Sequence, residues 1–515
     1  MKKHTSLEKY KKIYFIGIGG VSMSGLAEIL FKDGFEISGS DKTDSTATRH
    51  LQEVGIRINI GAAAENITPD IDLVVYTAAI KPDNPERVAA EGYGIPIIVR
   101  AQLLGHILEG YEHAVCIAGT HGKTSTTALV TAITKAAGLD PTVNIGGYIG
   151  DANYFVGSSS YFILEACEYS NSFFHWHPYI GVILNIDADH LDFYGSIDEI
   201  IDAFARFARN IRPNGTLIIN ESVPGFDRIV DGLACKVVRF KTEVKSILCM
   251  DENPLGIASS GMSTPNKVTS GDAPLVYWVR DASLDSSRAA TNKANDTQAI
   301  TSLAGTQSAV TQSAASSVGS QSFDVMGGTA FLARVNLPLP GDYNMYNALA
   351  AFAVAEELGI PPHETAKALS TTQGVKKRYE YKGEVDGVTI IDDYAHHPTE
   401  IKACLAAARQ THKGRIICLF QPHTYTRTRN HFDDFTQAFD EADITLFVPI
   451  YAAREPFDPT ISSKMLAEQV GGMSINCNSF EEAEDWLRGK LQPGDLLITM
   501  GAGIVHIVGE RLLAK

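Results

Sequence analysis

Residues 118–130 read AGTHGKTSTTALV and follow directly on the apolar run HAVCI at 113–117. A strand-like run, a glycine-bounded turn carrying Lys123 and Thr124, and a helix-forming stretch together make a phosphate cradle. Gly119 and Gly122 let backbone N–H groups approach oxyanions, and the helix that follows presents its N-terminus to them. Lys123 is the residue to neutralise β- and γ-phosphates, and the Thr124 hydroxyl suits Mg²⁺. The loop departs from the strict Walker pattern, because Ile117 stands where its first glycine would be and Gly119 comes later. The groups that touch phosphate are retained, so a nucleoside triphosphate is the expected ligand.

Outward from this loop, short β-rich runs alternate with helical stretches in three series. The first, from Lys12 to about Gly105, contains IYFIGI, FEISGSD, LVVYTAAI and IPIIV, with helical patterns such as MSGLAEILFKDG between them. The second passes from HAVCIAG through YFILEACE and YIGVILNIDADH to NMYNALAAFAVAEELGI. The third runs from GVTIIDDYAHHPTEI through RIICLFQPH and ITLFVPIY to GDLLITMGAG. This alternation predicts parallel strands joined by crossover helices. The expected fold is α/β in three segments. Residues 282–322 are rich in Ser, Thr, Ala and Gln and poor in large apolar side chains, which predicts a flexible surface insertion.

The 515 residues include 44 basic and 60 acidic ones, a formal charge of −16. That balance argues against a nucleic-acid or anionic-membrane surface, although a local cluster of cations still suits a small anionic substrate. Seven scattered cysteines without a CxxC pair predict reduced thiols. The N-terminal apolar stretch is broken by glycines and reaches Glu28 without a clear cleavage site, and no window offers the roughly 20 apolar residues of a membrane span. A soluble cytoplasmic protein is expected.

A second glycine turn, Gly17, Gly19 and Gly20, follows the first apolar run. Ser22 stands where a dinucleotide fingerprint has its third glycine, and Asp41 ends the next strand, where a ribose-binding acid would lie. A nicotinamide-dependent oxidoreductase is therefore one reading. A nucleoside diphosphate attached to a substrate would use the same turn. For the metal, Glu165 and Glu168 lie three apart near a strand end, and His190 lies in a loop after another apolar run. Each has an ordinary alternative, a solvated carboxylate or a helix-capping histidine.

Taken together, AGTHGKTS, EACEYSNSF, NIDADHLDFYG, GDYNMYNALAA, GVKKRYE, DDYAHHPTE and FQPHTYTRT resemble the Mur ligase family in order and spacing, over nearly the whole chain except 282–322. The resemblance implies cytoplasmic, ATP-dependent synthesis of an amide between L-alanine and the lactyl carboxylate of UDP-N-acetylmuramate, through an acyl phosphate, with ATP and Mg²⁺ bound. It implies three domains, a Rossmann-like one for the UDP-sugar at 1–107, a central P-loop ATPase domain at 108–376 and a C-terminal Rossmann-like domain for the amino acid at 377–515, and that Gly17, Gly19, Gly20, Ser22 and Asp41 hold the UDP-sugar. It assigns Gly119, Thr120, His121, Gly122, Lys123, Thr124, Ser125, Asn344, Asn347, Arg378 and Asp393 to ATP, and Thr124, Glu165 and His190 to the metal. It assigns Tyr394, His423 and Arg427 to the amino acid, and names Lys123, His190 and Arg427 as catalytic. Such an enzyme is expected as a monomer or homodimer, with residues of the third series arriving on closure. Three positions depart from the family's usual pattern: Tyr14, Tyr343 and Thr424. A ligase that joins a preformed tripeptide to the same sugar is the nearest alternative, and product mass separates the two. His396 and His397 read equally as bases for the amine proton or as a pair that starts a helix before Pro398.

Overall fold

The alternation folds into three sheets in a computed structural model that describes residues 6–77, 79–150, 152–189, 193–241, 276–285 and 319–514. The chain forms two compact units, one of Met1–Ile218, Val223–Lys236 and Gly374–Glu380, the other of Ile219–Ser222, Val237–Gln373 and Tyr381–Lys515.

In the first unit, β1 (Lys12–Ile16), β2 (Glu36–Asp41), β3 (Arg57–Ile60), β4 (Leu73–Tyr76) and β5 (Ile97–Val99) make a parallel sheet in the order β3-β2-β1-β4-β5. With β2 and β4 on either side of β1, the chain leaves β1 where the strand order reverses, the place at which open α/β sheets bind ligands. The Gly17 turn stands there. Tyr14 lies inside β1 and is a core residue, packed with Ile16, Val74 and Ala90. Its hydroxyl donates to buried Glu86 at 2.8 Å, which also accepts from Ser40 Oγ and Asn66 Nδ2, each at 2.7 Å.

The same unit carries β6 (His113–Ala118), β7 (Thr142–Ile149), β8 (Ala152–Phe155), β9 (Tyr161–Glu165), β10 (Ile180–Ile183) and the start of β11 (Thr216–Asn220), in the order β11-β10-β6-β9-β7-β8. HAVCIA is apolar on both faces, as a central parallel strand must be, and all but its first residue are buried. β6 pairs in parallel with β9 on one side and β10 on the other. The ends of three strands therefore meet around the loop that follows β6.

The second unit holds β12 (Lys236–Phe240), β13 (Val276–Asp285), β14 (Ser320–Gly327) and β15 (Ala330–Leu337), the last three antiparallel. This corrects the ends of the expected insertion. Ser283, Leu284 and Asp285 pair with Ser322, Gln321 and Ser320. Low apolar content does not prevent pairing where a neighbouring strand offers its ladder. Residues 286–318 lie outside the described residues.

The unit's other sheet contains β16 (Glu380–Val385), β17 (Val388–Asp393), β18 (Ile416–Phe420), β19 (Ile444–Phe447), β20 (Met473–Asn476) and β21 (Leu496–Met500), in the order β16-β17-β21-β18-β19-β20. β17 and β18 both pair in parallel with β21, and Asp393 and Phe420 both stand opposite Met500. The loops after β17 and β18 thus leave the sheet at one level. Among the described residues no helix is long and apolar enough to cross a membrane.

Candidate functional site

The loop after β6 has the backbone its glycines predict. Gly119 has φ 140° and Gly122 φ 81°, and Gly122 stands immediately before the helix Lys123–Ala136. A Cβ on Gly119 would lie 3.0 Å from Leu184 Cβ and 3.2 Å from the Asn185 nitrogen, so the turn leaves no room for a side chain. Lys123 Nζ folds back over the loop. It donates to the carbonyls of Gly119 (2.5 Å) and Thr120 (2.9 Å) and pairs with the Glu168 carboxylate at 3.0 Å. Burial opposes its charge, but the carboxylates of Glu168 and Glu165 outweigh that and push Lys123 above the ordinary lysine value. The ammonium is therefore fully charged at neutral pH.

Glu165 is the last residue of β9 and stands opposite Ile117. Its carboxylate accepts from Thr124 Oγ at 2.9 and 3.0 Å and from the Gly146 N–H at 2.7 Å. Two oxygen donors of the type Mg²⁺ prefers thus meet at the start of the phosphate-loop helix, and the residues fit such an ion. Ser125 occupies the same first turn. His190 lies outside the described residues.

A second set of contacts holds the loop from the side of β10, and reading the sequence did not single it out. Asn185 accepts the His121 N–H through Oδ1 (2.7 Å) and donates Nδ2–H to the His121 carbonyl (3.0 Å). The Thr120 N–H donates to the Asn185 carbonyl at 3.1 Å, and the Asp187 N–H to Thr120 Oγ at 2.9 Å. His121 Nε2 lies 3.1 Å from Asp187 Oδ2. The signal in the sequence was Asn-x-Asp placed directly after a buried strand that neighbours β6.

At the first glycine turn, the N–H groups of Gly17 and Ile18 donate to the Ser40 carbonyl. Asp41 accepts the Gly19 N–H at 2.8 Å and the Thr43 N–H at 3.2 Å. Its carboxylate braces the turn from the neighbouring strand. Gly20 stands just before the helix Val21–Lys32, and Ser22, in its first turn, accepts from Asn144 Nδ2 at 3.4 Å.

In the second unit, the shared exit level of β17 and β18 brings an aromatic and cationic cluster together. The rings of Tyr394 and His396 lie 5.3 Å apart, those of His396 and His423 5.6 Å, and His423 stacks on Tyr451 at 5.8 Å. Arg427 Nη1 lies 3.0 Å from His423 Nδ1. Thr424, with φ 63°, makes the corner between them and caps the Arg427 N–H. His397 caps the helix Pro398–Thr411, its Nδ1 accepting the Thr399 N–H, while Glu400 accepts the N–H groups of His396 and His397. The pair starts a helix. Asp393, at the end of β17, accepts the Ala395 N–H at 2.7 Å.

Asn344 and Asn347 are both buried on the helix Asp342–Glu357. Asn344 donates to the Pro340 carbonyl at 2.8 Å, whereas Asn347 Nδ2 meets no acceptor among the described residues. Arg378, in the first unit, stands between Lys377 and Tyr379, both at positive φ.

Three family descriptions match the chain in succession: "Mur ligase family, catalytic domain" over residues 12–112, "Mur ligase middle domain" over 117–253 and "Mur ligase, glutamate ligase domain" over 377–503. The chain is 41% identical over 508 residues to the UDP-N-acetylmuramate–L-alanine ligase of Clostridium novyi, covering 98% of this chain and 97% of that one. The ligase of the same name from Agathobacter rectalis is also 41% identical, covering 98% of each. Among solved structures, the UDP-N-acetylmuramate-alanine ligase of Thermotoga maritima is 25% identical with a TM-score of 0.69, covering 98% of each chain. A murein peptide ligase from Psychrobacter arcticus shares the fold at 22% identity and a TM-score of 0.61.

Proposed function

Because this chain belongs to the Mur ligase family, we propose that it is an ATP-dependent ligase joining L-alanine to the lactyl carboxylate of UDP-N-acetylmuramate, in the cytoplasm, as a step of peptidoglycan precursor synthesis. The observation that carries this reading is the 41% identity, over nearly the full length of both chains, to ligases of that name.

The chemistry explains why the residues are of these types. A carboxylate and an ammonium do not condense at neutral pH, so the sugar carboxylate first attacks the γ-phosphorus of ATP. ADP leaves, and the alanine amine then attacks the acyl carbon of the acyl phosphate, forming the amide bond as inorganic phosphate departs. The first step sets anion against anion, and opposing charge must already be in place. Lys123 supplies it, with the N-terminus of the helix Lys123–Ala136. Asn185 and Asp187 keep the loop in shape around the phosphates. Thr124 and Glu165, with His190, would hold Mg²⁺, which when bound adds positive charge at the phosphate oxygens. The Gly17–Gly20 turn and Ser22 hold the UDP diphosphate, and Asp41 keeps that turn closed. Asn347, whose buried amide nitrogen lacks an acceptor, is the better candidate for the adenine than Asn344, which is committed to Pro340. Arg378 and Asp393 complete the nucleotide set. Tyr394, His423 and Arg427 hold the amino acid.

The test is incubation with ATP, Mg²⁺, UDP-N-acetylmuramate labelled with ¹⁸O in its carboxylate, and either a panel of amino acids or a preformed tripeptide. The expected result is ADP, an alanine adduct by mass, and one label in the released phosphate. An adduct with a tripeptide but not with alanine, or phosphate without label, overturns the proposal.

A further inference from the structure

The alanine reading leaves a charge unassigned. The segment after β18 and the loop after β19 are laced together: the Thr424 N–H donates to the Tyr451 carbonyl and the Tyr451 N–H to the Pro422 carbonyl, each at 2.9 Å. The Thr426 N–H donates to the Glu455 carboxylate at 3.0 Å, and the His423 ring stacks on Tyr451. Residues 451–455 are thus fixed at both ends against residues 422–426, with Arg454 between the anchor points. Each side of the lacing carries a non-glycine residue at positive φ, Thr424 at 63° and Ala453 at 52°. L-residues adopt such backbone at a cost, and it persists where the surroundings impose it, most often around ligands.

The cations of this region are otherwise engaged. Arg427 lies against His423 Nδ1, Arg429 pairs with Asp458, and Lys464 sits 3.8 Å from Glu468. Arg454 is exposed and has no acidic partner among the described residues, while the adjoining acid, Glu455, is taken up by the Thr426 N–H. A free amino acid brings a carboxylate that must be gripped while its amine stays available for attack. Two guanidinium groups converging on that carboxylate do this better than one, since each offers a planar fork of donors, and Arg427 has one nitrogen already committed.

We propose that Arg454 is a second binding residue for the carboxylate of the incoming amino acid, acting beside Arg427; this rests on the alanine reading above. It chooses among amino donors by requiring a free α-carboxylate next to the amine.

The test compares parent and Arg454→Ala in the ligation assay with alanine and with alaninamide, which keeps the amine and methyl but lacks the negative charge. The expected result is an alanine KM raised about ten- to hundredfold, the size of a lost charge-assisted hydrogen bond, with the KM values for ATP and UDP-sugar within twofold of the parent. The parent's preference for alanine over alaninamide should fall by the same factor, which a merely structural role would not produce. An unchanged alanine KM, or equal losses for alanine and alaninamide, overturns the inference. A parent that does not ligate alanine overturns the function proposed above instead.

Discussion

Asn185 gives the most direct test of how the phosphate loop is held. Its side chain makes two hydrogen bonds to the His121 backbone, at 2.7 and 3.0 Å. Asn185→Ala deletes both and spares the main-chain bond from Thr120. Two partly buried neutral hydrogen bonds at about 1 kcal/mol each come to about 2 kcal/mol. At 1.4 kcal/mol per decade this is a factor of roughly 30 in any equilibrium that depends on them. The equilibrium concerned is between a formed and an unformed loop, because Gly119 and Gly122 add no stiffness of their own. Nucleotide affinity scales with the fraction of molecules with the loop formed, so for a loop close to evenly balanced in the parent kcat/KM for ATP should fall about 10- to 30-fold. UDP-sugar affinity, which depends on the Gly17 turn, should stay put. Asn185→Asp keeps the acceptor for the His121 N–H but turns a second acceptor toward the His121 carbonyl, so it should do no better. Coupled ADP release against ATP concentration, with calorimetric titration of the UDP-sugar, measures both quantities. If the alanine variant keeps kcat/KM for ATP within twofold while its Tm is unchanged, Asn185 does not hold the loop and the reasoning is wrong.

Other perturbations separate the remaining parts. A Cβ on Gly146 would lie 2.8 Å from both oxygens of Glu165, so Gly146→Ala should displace that carboxylate and raise the Mg²⁺ concentration for half-maximal rate severalfold; an unchanged metal dependence would remove Glu165 from the metal set. Glu455 is pushed up by burial, but the N–H and hydroxyl of Thr426, the Tyr425 N–H and the Thr424 hydroxyl outweigh this and hold it below the usual glutamate value. A depressed folded pKa stabilises fully above the unfolded value of about 4.3, and that contribution is lost as pH falls through the lower folded one. Tm of Glu455→Gln should therefore vary less with pH than the parent's below about pH 4.3, and parallel profiles would count against the assignment. Excising residues 284–320 removes the pairs Leu284↔Gln321 and Asp285↔Ser320 and should lower Tm and soluble yield. Replacing only 286–318 with a short glycine-containing turn should spare both, and equal damage from the two deletions would contradict the pairing.

What could be read in advance follows from how local each signal is. β1, β4, β6, β9, β10, β17, β18, β19 and β21 are apolar runs bounded by turn residues, and one run is enough to see each. β3 (RINI), β8 (ANYF) and β20 (MSIN) escape because they are four residues long, and no residue of any of them is buried. Lys123, Thr124 and Glu165 could be singled out in the sequence because phosphate and metal chemistry restrict residue types within a short stretch, and the structure brings the three together. Asn185 could not. Its role exists because the pairing Ala118↔Ile183 carries the end of β10 to the loop after β6, and nothing within either segment announces that pairing. Tyr14, one of the three departures from the family's usual pattern, is turned into the core against Glu86 by strand alternation.

The two carboxylates three residues apart, Glu165 and Glu168, show how far a sequence alone can go and where packing must decide. β9 ends at Glu165, which faces Thr124, while Glu168 has passed into the turn beyond and lies 2% exposed against Lys123. An ammonium has three donors, and those of Lys123 serve Gly119, Thr120 and Glu168. An arriving phosphate must displace one of them. The carbonyls are neutral acceptors, whereas giving up Glu168 would strand a buried charge, a loss of about 3–5 kcal/mol when one partner of such a pair is removed. Phosphate should therefore replace a carbonyl, with Glu168 kept as the post that holds Lys123 in place. On this argument Glu168→Gln raises the KM for ATP and lowers Tm. If Glu168 instead competed with phosphate for the lysine, the same substitution would lower the KM, and that outcome would refute the assignment.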